Sequence, residues 1–190
     1  ISGALMFGAM LSLGVVWMPK VLAAHGMSPT MATLGASMLW LGLALGSPVV
    51  TKWSDGIRSR KKPIIVGTAV QLACLAALFY LSGLGTGALM ALCFLFGFAN
   101  AAHMLSFSTA ADVVKPYQIG TSAAIVNGIM FILGGVLISR PGVRVGMGLE
   151  AAIEKGMALV QYAGLPLVIA LVLALIMVLF MKETYPSDHG

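Results

Sequence analysis

The sequence predicts an all-α membrane protein with six transmembrane helices, and three observations lead to this fold class. Of its 190 residues, 59% are hydrophobic and only 9% are Asp, Glu, Lys or Arg, whereas soluble domains carry roughly 25% charged residues. The apolar residues form uncharged runs long enough to cross a bilayer as helices. These runs do not alternate with period two, as the strands of a membrane barrel would.

The uncharged runs give the boundaries of six predicted spans. Both cysteines, Cys74 and Cys93, lie inside spans without metal-binding spacing, so we interpret them as small buried apolar side chains. The predicted spans cover residues 1–18, 31–51, 64–82, 87–108, 120–139 and 157–181.

Basic residues are concentrated in the connection after the second span, which reads WSDGIRSRKKP. Cytoplasmic loops retain Lys and Arg, so we expect this connection to be cytoplasmic. The chain then has seven basic residues inside and four outside, and both its ends are expected to face the cytoplasm. The expected location is the inner membrane of a bacterium. The pI near 9.5 therefore reflects topology rather than a nucleic-acid site. The inside residues are Lys52, Arg58, Arg60, Lys61, Lys62, Lys115 and Lys182; the outside residues are Lys20, Arg140, Arg144 and Lys155.

The longest connection, RPGVRVGMGLEAAIEKG, is expected on the outer side. Glu150 and Glu154 are four residues apart and would share a helix face. We therefore expect a short helix leading into the last span.

Polar side chains inside the spans identify the helices that line a cavity or contact other helices. In the fourth span, spacings of four, three and four place Phe96, Asn100, His103 and Phe107 on one helix face. The fifth span offers Asn127, with Phe131 one turn later, and the second offers Ser37 and Trp40. Spans one, two, four and five are therefore predicted to be interior, and spans three and six, which have few polar residues, peripheral.

The second span also carries small residues and shows a weak internal repeat. Gly42 and Gly46 form a GxxxG pair suited to close helix packing, and Pro48 predicts a kink. An ungapped alignment of the second span with the fifth matches, among others, Thr33 with Thr121 and Gly46 with Gly134. The match predicts a three-plus-three repeat, whose odd number of spans makes the two copies inverted in the membrane.

Three segments make the chain resemble the C-terminal six-helix half of a major facilitator superfamily (MFS) transporter. They are GSPVVTKWSDGIRSRKKPIIVG, ADVVKPYQIGTSAAIVNGIMFILGG and FMKETYP. The family's cytoplasmic signature places an acidic residue before a cluster of basic residues and Gly, and Asp55 occupies the acidic position here. The sequence departs from the signature at Thr51, Gly56 and Arg58, the last of which replaces the second Gly.

The resemblance implies that residues 1–190 form one C-terminal transmembrane domain, preceded in the native protein by six more helices. It implies secondary transport of a small solute by alternating access, here expected to be proton-coupled uptake of a small polar nutrient such as an amino acid. Export of drugs or siderophores remains an alternative. The expected partners are the small-molecule substrate, the lipid bilayer and the N-terminal half, with a proton gradient in place of any cofactor and no nucleic acid.

The resemblance also implies a cytoplasmic latch, in which Asp55 pairs with an Arg and faces a helix N-terminus in one state. Asp112, at the cytoplasmic end of the fourth span, is the expected second carboxylate for Arg58 or Arg60. The alternative is that the basic run only sets topology and contacts lipid headgroups.

A central substrate site is predicted from Trp40, Asn100, His103 and Asn127. Amides can donate to and accept from a polar solute, and an aromatic face can hold its apolar or cationic part. His103 could also carry a coupling proton. The alternative for the Asn and His residues is hydrogen bonding between helices without any ligand.

Other functional classes find less support in the sequence. A channel or pore-forming oligomer remains the main alternative, although no NPA pair or TVGYG-like filter is present. A permease subunit driven by an ATPase is a further alternative. The absence of GxSxG, HExxH and paired carboxylates within the spans disfavours an enzyme, and no metal site is predicted.

Overall fold

A computed structural model describes residues 1–186, and within them six helical spans are long and apolar enough to cross a membrane. The six predicted spans are thus confirmed, although most extend beyond their predicted ends. A helix can continue past the hydrocarbon layer into charged residues, which an apolar window leaves out. Spans 1 to 6 are Ser2–Ala24, Pro29–Gly56, Lys61–Tyr80, Thr86–Asp112, Pro116–Glu150 and Met157–Phe180.

Spans 1 and 4 are each interrupted by a turn of different helical geometry. In span 1 the amide of Met18 reaches the carbonyl of Leu13, five residues back, just before Pro19. The α-helices are Ser2–Ser12, Met18–Ala24, Pro29–Gly56, Lys61–Tyr80, Thr86–Asn100, Leu105–Asp112, Ile119–Glu150 and Met157–Phe180. Leu13–Trp17 is a π-helical turn, and Ala101–Met104 and Pro116–Gln118 are 3-10 turns.

Glycines bring spans 2 and 4 into backbone contact. A Cβ atom added at Gly46 would lie 2.6 Å from the carbonyl oxygen of Phe98, and one at Gly42 would collide with the carbonyl of Phe94. From the other side, a Cβ at Gly97 would collide with the carbonyl of Leu39. The predicted role of Gly42 and Gly46 in close helix packing is therefore confirmed, and the helix continues through Pro48.

A second glycine contact joins spans 1 and 5. A Cβ at Gly8 would lie 3.3 Å from the backbone of Gly134 and 2.9 Å from the side chain of Leu137. Ser12, one turn after Gly8, donates to the carbonyl of Leu137 at 2.9 Å. Span 1 is thus bound along its first half to the middle of span 5.

The helix expected before the last span belongs instead to span 5, so that prediction is wrong. The helix of span 5 runs without a break from Ile119 to Glu150, through Pro141, and the connection shrinks to residues 151–156. Two side chains hold this extension. Trp17 Nε1 donates to the carbonyl of Ile138 at 3.0 Å, and Arg144 Nε donates to the carbonyl of Tyr162 at 2.7 Å. Both contacts are tertiary and leave no local sequence pattern.

Burial within the chain does not follow the predicted division into interior and peripheral spans. In its most apolar stretch, span 3 is 50% buried, as much as span 1, whereas span 5 is only 17% buried. Span 3 is buried because it packs closely on span 4, where Gly67 faces Ala99 and Ala102. Burial within this chain alone therefore does not separate the spans predicted to be interior from those predicted to be peripheral.

Candidate functional site

Arg60 joins three segments at one end of the helical bundle. Its Nη1 lies 2.8 Å from Asp55 Oδ1, and its Nε lies 3.2 Å from Asp112 Oδ2. Asp55 is the penultimate residue of span 2, and Asp112 is the last residue of span 4. The expected pairing of Asp112 with an Arg of this connection is present in the structure, and Arg60 contacts both carboxylates.

The surroundings of Arg60 keep its charge fixed. Burial lowers the pKa of the guanidinium, but the hydrogen bonds to Asp112 and Asp55 outweigh this and raise it above its ordinary value. The guanidinium also lies 4.6 Å from the ring centroid of Tyr185, which follows span 6. Arg60 is therefore permanently cationic.

Arg58, the other expected partner, lies at a turn with φ of +51°. This left-handed conformation favours Gly over residues with a side chain. Arg58 therefore occupies a backbone conformation that residues with a side chain rarely adopt.

Glu183 is a member of this charged cluster that the site predictions did not include. Its carboxylate accepts from Ser59 Oγ and from the backbone amides of Arg60, at 2.8 Å, and Lys61, at 3.3 Å. These amides begin the helix of span 3, whose positive dipole end favours an anion. In return, Lys61 Nζ donates to the carbonyl of Leu179, near the end of span 6, at 2.7 Å.

The ionised state of Glu183 is strongly favoured. Burial raises the pKa of the carboxyl group, but the hydrogen bonds from Ser59, Arg60, Tyr185 and Lys61 outweigh it and lower the pKa from 4.5 to about 2. The carboxylate therefore links spans 3 and 6 throughout the physiological pH range. The segment FMKETYP was noted for its resemblance, but a single acid after the last span gave no indication of these contacts.

Asn100 belongs to a second, buried polar cluster between spans 1, 3 and 4. Its Oδ1 accepts from Gln71 Nε2 at 3.1 Å, and its Nδ2 lies 2.8 Å from Met10 Sδ. Gln71 Nε2 also donates to the carbonyl of Met6 at 3.1 Å, while Gln71 Oε1 is buried without a hydrogen-bond partner among the described residues. The side chain of Asn100 is thus engaged in bonds between helices.

His103 lies beside Asn100 and against an aromatic pair. Its Nδ1 is 2.7 Å from the carbonyl oxygen of Asn100, and its ring stacks on Phe7 with centroids 5.0 Å apart. Phe7 in turn meets Phe131 of span 5 edge to face at 5.7 Å. Aromatic contacts therefore connect His103 with the part of span 5 that carries Asn127, one turn before Phe131.

Trp40 and Asn127 lie apart from the buried cluster. Trp40 is 38% exposed and packs with one edge of its indole against Gly14, and Asn127 is exposed on span 5. Asn100 and His103, by contrast, are 0% and 3% exposed. The structure thus brings together two of the four predicted substrate residues and leaves the other two on the surface of spans 2 and 5.

The two clusters offer different chemistry. The charged cluster can form and release ion pairs at the ends of spans, whereas the amides of the buried cluster bond to neighbouring helices. Within residues 1–186, no group of three or more His, Cys, Asp and Glu side chains is placed to hold a metal ion.

Comparisons of the chain with models of protein families, with curated proteins and with solved structures found no match.

Proposed function

We propose that this chain is the C-terminal six-helix half of a secondary transporter of the major facilitator superfamily, which moves a small solute by alternating access. The observation that carries the proposal is the bridge from Arg60 to Asp55 and Asp112. The bridge joins the connection after span 2 to the ends of spans 2 and 4, and the resemblance implies a latch at this place. We place this end of the bundle in the cytoplasm, because the connection holds five of the eleven basic residues.

The geometry suits a latch that opens and closes. Asp55 is half exposed and bonded to Nη1 of Arg60, so water can replace this partner when the pair separates. Asp112 is only 12% exposed and bonds to Nε of the same guanidinium. In the proposed cycle Arg60 stays with Asp112, while Asp55 releases it as spans 2 and 4 move apart at their cytoplasmic ends.

The packing of the spans supports an inverted three-plus-three repeat. In such a repeat span 1 corresponds to span 4 and span 2 to span 5. Glycines hold spans 2 and 4 together, and glycines also hold together the corresponding pair, spans 5 and 1. The two spans interrupted by a non-α turn, 1 and 4, likewise occupy the first position of each set of three. Both correspondences are those that two copies of a three-helix unit would produce.

The proposed substrate cavity lies between this chain and a second six-helix half, along spans 2 and 5. Span 5 is the least buried of the six spans, and Trp40 and Asn127 are exposed on these two helices. Trp40 would provide a flat apolar wall and Asn127 a hydrogen-bonding amide. Asn100 and His103 are buried, and ring contacts through Phe7 and Phe131 connect His103 with span 5.

The proposed substrate is a small polar nutrient such as an amino acid, taken up with protons. Asp and Glu are absent from the predicted spans, so this half presents no fixed negative charge in the membrane. A carboxylate that couples protons would belong to the other half, and His103 is this half's candidate for a coupling group.

The proposal is tested by uptake of labelled amino acids into proteoliposomes containing the complete product of the native gene, with and without an imposed proton gradient. We expect saturable, gradient-dependent uptake that Asp55→Asn slows by about tenfold or more and that Glu154→Gln, at the other end of the bundle, leaves unchanged. If none of the amino acids tested were taken up, the substrate class would be rejected. An Asp55→Asn protein that transports at the original rate would leave the charged connection with a role in topology alone.

A further inference from the structure

An apolar crevice of about 380 Å³ opens between spans 1, 3, 5 and 6, at the end opposite to Arg60. It has the volume of a small-molecule site. Along span 1 it extends from Leu13 to Ala24, and along span 6 from Gly156 to Leu167. At 1.5 Å per residue each side is about 16 Å long, which matches one leaflet, half of a hydrocarbon core of about 30 Å.

Lys20 is the charged residue in the lining of this crevice. Its ammonium group lies 4.1 Å from the ring centroid of Trp17, which also lines the crevice. The exposed Lys20 is four residues from the outer limit of the lining and seven from the inner limit, so its charge lies in the outer half of the crevice. An exposed cation on an aromatic face in the outer half of an apolar crevice can bind a phosphate while the apolar lining below it contacts an acyl chain.

A second cation is held close to the same place. Arg144 lies one residue before Val145 of the lining, its guanidinium stacks 4.0 Å above the Tyr162 ring, and its Nε donates to the carbonyl of Tyr162. Within the described residues this end of the bundle carries four basic residues against two acidic ones: Lys20, Arg140, Arg144 and Lys155 against Glu150 and Glu154. The net positive charge favours an anionic headgroup over a zwitterionic one.

We propose that this crevice binds one anionic phospholipid, with an acyl chain between spans 1, 5 and 6 and the headgroup phosphate at Lys20. The proposal requires only that the spans lie in a bilayer, so it is independent of the transport function. The bound lipid would cover the apolar lining of the crevice between spans 5 and 6. Its contacts with both helices would hold them together.

The experiment titrates the delipidated protein in detergent with dioleoyl phosphatidylglycerol or dioleoyl phosphatidylcholine and counts bound lipid by native mass spectrometry. We expect one phosphatidylglycerol to bind in preference to phosphatidylcholine. Lys20→Gln should weaken this binding about fivefold, since one basic residue near an anionic lipid is worth about 1 kcal/mol. Lys20→Arg should retain it, and Lys52→Gln, at the opposite end, should leave it unchanged.

Val160→Trp places a large ring in the crevice and should abolish the bound lipid while leaving Lys20 in place. If the two lipids bound equally, or if Lys52→Gln weakened lipid binding as much as Lys20→Gln, the binding would be non-specific adsorption and the proposal would be overturned. Lipid binding that survives Val160→Trp would also overturn it. A dimer that disappears with Val160→Trp would assign the crevice to a second copy of the chain instead.

Discussion

Arg60 Nε and Asp112 Oδ2 are 3.2 Å apart, and both side chains are largely shielded, with exposures of 13% and 12%. Asp55, bonded to the same guanidinium, is 51% exposed. The two carboxylates thus share one cation in different environments.

This difference predicts unequal losses of stability. Asp112→Asn should lower the free energy of unfolding by about 1 to 3 kcal/mol, because it leaves a shielded guanidinium without its full countercharge. Asp55→Asn should cost less than about 1 kcal/mol, as exposed ion pairs do. Denaturant unfolding in detergent at neutral pH measures both, and equal losses would contradict the assigned environments.

Glu183 predicts a dependence of stability on pH. Its pKa is about 2 in the folded chain and 4.5 as a free side chain, so its contribution is fully present above pH 4.5 and is lost as the pH falls toward 2. Because the side chain is largely exposed, we expect this contribution to stay below about 1 kcal/mol.

The measurement for Glu183 compares the original chain with Glu183→Gln and with Glu150→Gln, an exposed acid at the other end of the bundle. Unfolding followed from pH 7 to pH 3 should show a smaller loss for Glu183→Gln, which already lacks the carboxylate. If Glu150→Gln changed the profile equally, the effect would be one of net charge.

The glycine contact between spans 2 and 4 predicts a large effect from a single methyl group. Gly42→Ala should destabilise by about 1 to 3 kcal/mol, because the carbonyl of Phe94 is backbone and cannot move aside as a side chain would. Gly128→Ala, inside span 5 with open space around its Cβ position, should instead stabilise by up to about 1 kcal/mol. Thermal unfolding in detergent distinguishes the two, and a neutral Gly42→Ala would mean that the helices can separate without loss.

Two glycines near the start of span 4 predict opposite effects from the same substitution. Gly83 has φ of +73°, and Gly87 lies in the first turn of the helix; neither has an atom within 4 Å of its Cβ position. Gly83→Ala should destabilise by about 1 to 2 kcal/mol through backbone strain alone. Gly87→Ala should stabilise by about 0.5 to 1 kcal/mol. Shifts of equal sign in the unfolding temperature would contradict the turn geometry.

The bond between Gln71 and Asn100 predicts a measurable coupling. Replacing each by Leu, singly and together, should give a coupling energy of about 0.6 to 1.7 kcal/mol, the range of hydrogen bonds between membrane helices. Asn100→Leu should cost more than Gln71→Leu, because Gln71 already carries an unpaired buried oxygen. Additive losses would show that the two amides do not interact.

The six spans and the glycine contact could be predicted because hydropathy and small-residue spacing are local properties of the sequence. The pairing of Asp112 with an Arg of the charged connection was also predicted, but through the family resemblance. That Arg60 contacts both Asp55 and Asp112 depends on the fold of the connection, which includes a turn where Arg58 adopts positive φ. A basic run does not indicate how the backbone will direct each of its side chains.

The remaining contacts depend on residues far apart in the sequence. Gln71 and Asn100 are 29 residues apart, and Glu183 lies more than 120 residues from the amides it binds. The helix extension to Glu150 likewise rests on contacts with Trp17 and Tyr162. Spacing along one helix placed Asn100 and His103 on a common face but could not show that other helices would cover it.

The 3-10 turn at Ala101–Met104 divides span 4 into two helical parts that contact different neighbours. Before it, Gly97 is fixed against the backbone of Leu39; after it, the last two turns carry Asp112 to the guanidinium of Arg60. The turn replaces regular α-helical bonding by shorter-range bonds, a geometry that often marks a hinge when it occurs within a helix. The two parts of span 4 are thus attached to different neighbours on either side of a break in α-helical geometry.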